Sequence, residues 1–252
     1  SIEALAERTG ALLATSLQAR DYFGAHPFAI GVSGSFASDA GVKLLPQADC
    51  ILALGASLNR FTTEDGDMFP KAGVIHVDTK RAAIGETTPV RLGIWGDVRA
   101  SVEAINGYLE QQGGPQKLGF RSAETKNVIA QSRANQDGPY VEAPGLLDPR
   151  LVVNELNRLL PRERIVAICS GHFMNFVADR LEVPEPESFV WGASFVSLGV
   201  GIPLGVGAAM GRSDRHCVVF VGDGGFLMCP QELDTAVRHR VPMTFVVMND
   251  GA

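Results

Sequence analysis

The stretches VVFVGDGG (residues 218–225) and FVVMNDGA (245–252) each carry a β-branched run to an acidic residue beside glycine, Asp223 and Asp250. Carboxylates are hard oxygen donors, and two held close together repel unless a cation lies between them. Mg²⁺ and Ca²⁺ suit such a pair, and Mg²⁺ takes few protein oxygens while keeping phosphate and water as its other ligands. Gly224 and Gly225 follow Asp223 directly. Lacking side chains, they leave N–H groups open beside a helical turn, a seat for phosphate oxygens. Either tripeptide alone reads as an ordinary strand-ending turn. The pair, one crossover apart, points to a divalent cation bridging a diphosphate.

The elements that would position these groups are legible around them. HCVVFVGD (216–223) and MTFVVMND (243–250) read as buried strands, and QELDTAVRHR between them places Leu233, Ala236 and Val237 on one helix face. Strand, crossover helix and strand form a parallel unit whose strands end on the same sheet edge. That edge is where open α/β sheets bind ligands. Upstream, Asp148 and Pro149 supply an N-cap and a first-turn proline for a helix over 151–160, closed by Pro161, and RIVAICS (164–170) reads as another buried strand.

The first part of the chain alternates in the same manner. ALLATS (11–16), CILALGA (50–56), GVIHVDT (73–79) and LGIWG (92–96) are short apolar runs without strict alternation, which suits strands covered on both faces. Val98, Val102, Ile105 and Leu109 recur at helical spacing, and an opening helix carrying Ile2, Leu5 and Ala6 closes at Gly10. From Gly113 the composition turns polar and reads as a linker, part of it open to helix. The expectation is an α/β protein of two parallel-sheet Rossmann-like domains: a middle domain over 1–112, a linker over 113–145 and a diphosphate-binding domain over 146–252. Both ends of the chain read as cuts, in the middle domain at its start and in the diphosphate-binding domain at its end.

Composition narrows the function classes. A net charge of −6 without a Lys/Arg run argues against nucleic acid or an anionic membrane as partner, so an anionic ligand must be held locally. No apolar run reaches the roughly 18 residues of a membrane span. Cys50, Cys169, Cys217 and Cys229 show no paired spacing, each in or beside an apolar stretch, and are expected to be reduced core thiols of a cytoplasmic protein.

GDGGF, QELDTAV and NDG together resemble the cofactor signature of thiamine-diphosphate-dependent enzymes of the acetolactate synthase and benzoylformate decarboxylase group. SLGVGIPLGVGAAMG (197–211) looks like that family's glycine-rich apolar helix, and ADCILALGASLNRF and VIHVDTKRAAIG are similar to its non-catalytic middle domain. The resemblance implies thiamine diphosphate and Mg²⁺ as cofactors and a 2-oxo acid as substrate, decarboxylated, ligated to a second carbonyl, or both. It implies metal ligation by Asp223, Asp250 and the main-chain carbonyl of Ala252, with Asp250 in place of the more usual asparagine and Asn249 a strand-terminal hydrogen-bonding group. Gly222, Gly224 and Gly225 would wrap the diphosphate, with Gly171 and His172 of the SGHF loop in range of it. Leu198 falls where a bulky aliphatic side chain supports the bent cofactor, and backbone groups of Val196 and Leu198 would meet its pyrimidine ring. The family often has glycine where Val196 stands. Its activating glutamate lies on a separate N-terminal domain, so no catalytic residue is assigned in this chain, which is expected to be inactive alone. A homodimer or homotetramer with the site at a subunit interface is implied. Whether the middle domain holds FAD, ADP or neither is left open.

Two other readings are compatible with parts of the sequence. Gly199, Gly201 and Gly205, with Asp223 downstream, resemble a nicotinamide dinucleotide fingerprint, but GASFVSL separates them from the preceding strand-like SFVW and Asp250 is left without a role. A non-catalytic binding or regulatory subunit of the same fold would keep the metal signature and lack the chemistry.

Overall fold

A computed structural model describes residues 1–24, 26–113, 119–136 and 138–250. The chain forms two compact units, one of Ser1–Leu17 and Phe23–Arg133, the other of Gln18–Tyr22 and Ala134–Ala252.

The first unit opens with α1 (Ile2–Thr9), capped by the Ser1 hydroxyl, which accepts the Ala4 N–H at 3.2 Å, and closed by Gly10 in the left-handed region. β1 (Leu13–Thr15) and β2 (Ala29–Val32) pair in parallel. α2 (Asp39–Leu44), β3 (Cys50–Leu54), α3 (Arg60–Thr63), β4 (Gly73–Asp78) and β5 (Leu92–Trp95) follow, and the last three strands form a parallel sheet in the order β3-β4-β5. α4 (Val98–Gln111) starts at Asp97, whose carboxylate accepts the Ala100 N–H at 2.9 Å.

The segment expected as a linker contains α5 (Ala123–Asn135). Its Ile129 is buried in the same core as Ile30, Leu44, Leu58, Phe69 and Val74. Ser132 Oγ accepts the Ala40 N–H at 3.1 Å, and the Arg133 guanidinium donates to the carbonyls of His26 and Ala29. Apart from Ile129, the buried residues of α5 are Thr125 and Ser132, so it docks largely by polar contacts that a hydrophobic pattern does not register. Cys50, expected in the core, is exposed at the first position of β3; Cys169 and Cys217 are buried, Cys229 is half-buried, and all four are free thiols.

The second unit contains α6 (Pro149–Leu159), β6 (Arg164–Ile168), α7 (Met174–Arg180), β7 (Phe189–Trp191), α8 (Gly201–Gly211), β8 (His216–Gly222), α9 (Asp223–Met228), α10 (Glu232–Arg238) and β9 (Met243–Met248). The four strands are parallel in the order β7-β6-β8-β9. Every residue of β6 and the five central residues of β8 are buried, as expected of central parallel strands covered on both faces. From β6 the chain crosses outward to β7 and then returns to β8 on the other side of β6. The order therefore reverses between β6 and β8, and the crevice at the C-terminal ends of such strands is where open α/β sheets bind ligands. On α10 only Ala236 is buried; Val237, expected on the same apolar face, is 75% exposed.

Buried arginines brace this unit. Arg164 Nε donates to the Glu182 carbonyl at 3.1 Å, its Nη1 to the carbonyls of Asn157, Leu160 and Pro161 at 3.3 Å, and its Nη2 to Asn157 Oδ1, closing the C-terminus of α6. Arg20, from the short Gln18–Tyr22 segment, donates to the Val177 carbonyl at 3.1 Å and lies over the Phe189 ring at 5.1 Å. Burial lowers the proton affinity of both guanidiniums.

Asp148 caps α6. Its Oδ1 accepts the Arg150 N–H at 2.9 Å and its Oδ2 accepts the Val141 N–H at 2.8 Å, with Arg150 Nη2 at 2.6 Å. The Arg150 side chain is the largest cause that holds this carboxyl well below the usual carboxylate range. A depressed carboxylate contributes stability that is fully present above the unfolded pKa of about 3.9 and lost as pH falls toward the lower folded value. Thermal melts of the second unit between about pH 5 and pH 2.5 are thus expected to fall less steeply in Asp148→Asn than in wild type. Equal slopes would remove Asp148 as an acid-sensitive cap.

Among the described residues, no helix is long and apolar enough to cross a membrane.

Candidate cofactor-binding site

The residues singled out in the sequence converge on the C-terminal edge of the second sheet. β8 ends at Gly222, which serves as N-cap of α9 in an extended conformation and offers no side chain to the first-turn N–H groups. Asp223 Oδ1 accepts the Gly224 N–H at 2.8 Å. A Cβ built on Gly224 would meet nothing within 4 Å, so the space over this turn is open.

Glycine contacts tie two other segments to this turn. A Cβ on Gly171 would lie 2.8 Å from the Phe173 ring and one on Gly222 would lie 3.4 Å from the same ring, so Phe173 spans the switch point beneath the two loops. A Cβ on Gly225 would lie 3.3 Å from Cys169 Sγ and 3.5 Å from the Gly199 nitrogen. The turn carrying Val196 and Leu198 is thereby brought against the Gly-Asp-Gly turn. His172, in the loop after β6, is exposed with its ring edge-on to Phe176 at 5.9 Å. Its imidazole therefore packs on α7, and no hydrogen bond to Asp223 accompanies it among the described contacts.

Asp250 is reached through register. β8 and β9 are direct neighbours, with Gly222 opposite Met248. Asn249 is thus level with Asp223 and Asp250 lies one residue further on, at strands separated by about 5 Å. Both residues are exposed and engaged in interactions. Ala252, the third expected ligand, lies outside the described residues.

The Val196 turn is strained. Val196 has φ +53°, a region that costs a β-branched residue about 1–2 kcal/mol, and Gly199 has φ +81°. Leu198 is half exposed and Phe195 is 89% exposed, so the turn presents apolar side chains to the open side. In Val196→Gly the relief of strain competes with about 0.5–1 kcal/mol of added unfolded-state entropy. A rise in melting temperature of a few degrees at most is expected, and a clear fall would show that the valine side chain itself holds the turn.

The glycines of the rival dinucleotide pattern pack helix against sheet. A Cβ on Gly201 would lie 2.6–2.7 Å from the Cys169 backbone, and one on Gly205 would lie 2.4 Å from Val219 Cγ2. Neither follows a strand directly, since β7 ends at Trp191. Their small size admits α8 to the sheet and does not serve a phosphate turn. Two residues that the sequence reading gave no role, Cys169 and Phe173, pack between the loops; Phe173 closes the SGHF stretch, where a glycine two positions before an aromatic residue was the available signal.

The groups present fit a metal-bound diphosphate: a glycine turn with open space above it, oxygen donors at neighbouring strand ends, and an exposed apolar turn alongside. Comparison with known proteins bears on the cofactor. The family model described as "Thiamine pyrophosphate enzyme, central domain" matches residues 1–105, and that described as "Thiamine pyrophosphate enzyme, C-terminal TPP binding domain" matches residues 170–252. Sulfoacetaldehyde acetyltransferase from Alcaligenes xylosoxydans xylosoxydans is 32% identical over 276 residues, covering 98% of this chain and 45% of the relative. A second protein of that name, from Roseovarius nubinhibens, is 33% identical over 98% of this chain and 44% of its own length. Acetolactate synthase from Mycobacterium avium is 30% identical over 98% of this chain and 40% of its own length. The chain thus spans less than half the length of these relatives. It belongs to the thiamine pyrophosphate enzyme family, matching that family's central domain in its first unit and the C-terminal cofactor-binding domain in its second.

Proposed function

We propose that this chain is the cofactor-holding part of a thiamine diphosphate- and Mg²⁺-dependent enzyme that acts on 2-oxo acids, transferring the decarboxylated fragment to an acceptor or releasing it. The observation that supports the reading is the topological switch between β6 and β8, with Gly171, Asp223, Gly224 and the end of β9 on the same edge of the sheet. When bound, thiamine diphosphate supplies a carbanion nucleophile and an electron sink. The residues of this chain bind and orient it. Asp223, Asp250 and the Ala252 carbonyl hold Mg²⁺, while Gly222, Gly224 and Gly225, with Gly171 and His172, surround the diphosphate. Leu198 supports the rings from below and backbone groups of Val196 and Leu198 orient the pyrimidine.

Activation of the pyrimidine requires a glutamate that this reading assigns to a part of the protein outside these 252 residues, contributed by a second subunit. The working form is then a homodimer or a homotetramer, and the exposed Phe195 and Leu198 suit a surface that is covered on assembly. The names of the relatives, an acetyltransferase and a synthase, make transfer to an acceptor the branch to assay first. Calorimetric titration of the full-length protein with thiamine diphosphate, with Mg²⁺ and then with EDTA, tests the reading. Binding only with the metal supports it; equal binding in EDTA, or displacement by NADH, counts against it.

A further inference from the structure

We propose that Cys169 is a positioning residue whose thiol sets the pyrimidine-facing turn relative to the diphosphate-facing turn; this rests on the cofactor reading above. Cys169 follows β6 and is fully buried, and its Sγ accepts the Gly199 N–H at 3.0 Å. The same sulfur packs where a Gly225 side chain would begin, at 3.3 Å, while the Cys169 backbone fills the space beside Gly201. Met228 Cβ and Cys229 Sγ each lie 3.0 Å from the position of a Gly199 Cβ, so the last residue of α9 and the residue after it also pack against the turn. Gly199 is one residue from Leu198 and three from Val196, and its φ of +81° leaves the turn dependent on external contacts for its shape. A thiol is a weak, large and polarisable acceptor, and here it is the acceptor for a buried N–H that would otherwise be left unsatisfied. One side chain thus fixes the height of the Leu198 support relative to the diphosphate-facing turn, while Gly225 is held by its own helix α9.

Three variants of the full-length protein separate this role from plain packing. Cys169→Ser keeps an acceptor, Cys169→Ala removes it and leaves space, and Cys169→Val removes it while filling the space with a slightly larger apolar group. Hydrogen exchange at the Gly199 amide is the cofactor-independent readout, and affinity for thiamine diphosphate against inorganic pyrophosphate, both with Mg²⁺, is the functional one. Expected are at least tenfold faster exchange at Gly199 and at least tenfold weaker thiamine diphosphate binding in the Ala and Val variants, with pyrophosphate affinity within twofold of wild type and rescue of both readouts by Ser. Equal losses for both ligands, or failure of Ser to rescue, would overturn the proposal in favour of a structural role. Faster exchange in a protein whose wild type binds no thiamine diphosphate would overturn the cofactor reading while leaving the hydrogen bond established.

Discussion

Asp223→Ala is expected to lower Mg²⁺-dependent thiamine diphosphate affinity by a hundredfold or more while leaving the fold intact. Removing one partner from a desolvated charged contact costs on the order of 2–5 kcal/mol, and each 1.4 kcal/mol is a factor of ten. The fold has little at stake, because the described hydrogen bond made by this side chain is to its neighbour Gly224, worth about 1 kcal/mol. Asp250→Asn keeps an oxygen donor and removes only charge, so its loss is expected to stay under about tenfold. Calorimetric titration of the full-length variants measures both, alongside thermal melts. Asp223→Ala binding as wild type does would remove the metal site from the account.

Gly201→Ala is expected to destabilise the second unit by about 3 kcal/mol, at the upper end of overpacking effects. The added methyl would sit 2.6 Å from the Cys169 nitrogen and 2.7 Å from its Cα, backbone atoms of the turn leaving β6 that cannot rotate aside. α8 would have to lift from the sheet, and the Gly199 turn would move with it. Gly207, on the same helix, is exposed with nothing within 4 Å of a built Cβ. Gly207→Ala should therefore stabilise by about 0.5–1 kcal/mol through helix propensity. Denaturant melts of the two variants check the contrast. Similar effects at both positions would mean that α8 does not approach the sheet as closely as the structure places it.

The parts of this fold that were legible from the residues are those where local chemistry and pattern agree. Asp148 with Pro149 marked the start of α6, Gly10 marked the end of α1, and the runs at 216–223 and 243–250 became adjacent parallel strands. The Gly-Asp-Gly turn stood out only through its pairing with Asn-Asp-Gly one crossover away, since either tripeptide alone reads as an ordinary strand-ending turn. α5 was legible only as a polar linker open to helix, and its docking was hidden because it relies on Ser132 and Arg133 hydrogen bonds and a single buried isoleucine. Cys169 was hidden as well. Nothing in ICSGH distinguishes a buried thiol that accepts an N–H from 30 residues downstream from one that merely fills space, since that partner is set by tertiary packing. Val237 shows the reverse error, an apolar residue at helical spacing that faces outward.

The most direct test is crystallographic. Crystals of the full-length protein grown with thiamine diphosphate and Mn²⁺ in place of Mg²⁺ give an anomalous map that locates the ion by its own scattering. A single strong peak about 2.0–2.3 Å from carboxylate oxygens of both Asp223 and Asp250, in contact with the diphosphate, is expected. Cofactor density with no such peak, or a peak bound by neither aspartate, would contradict it.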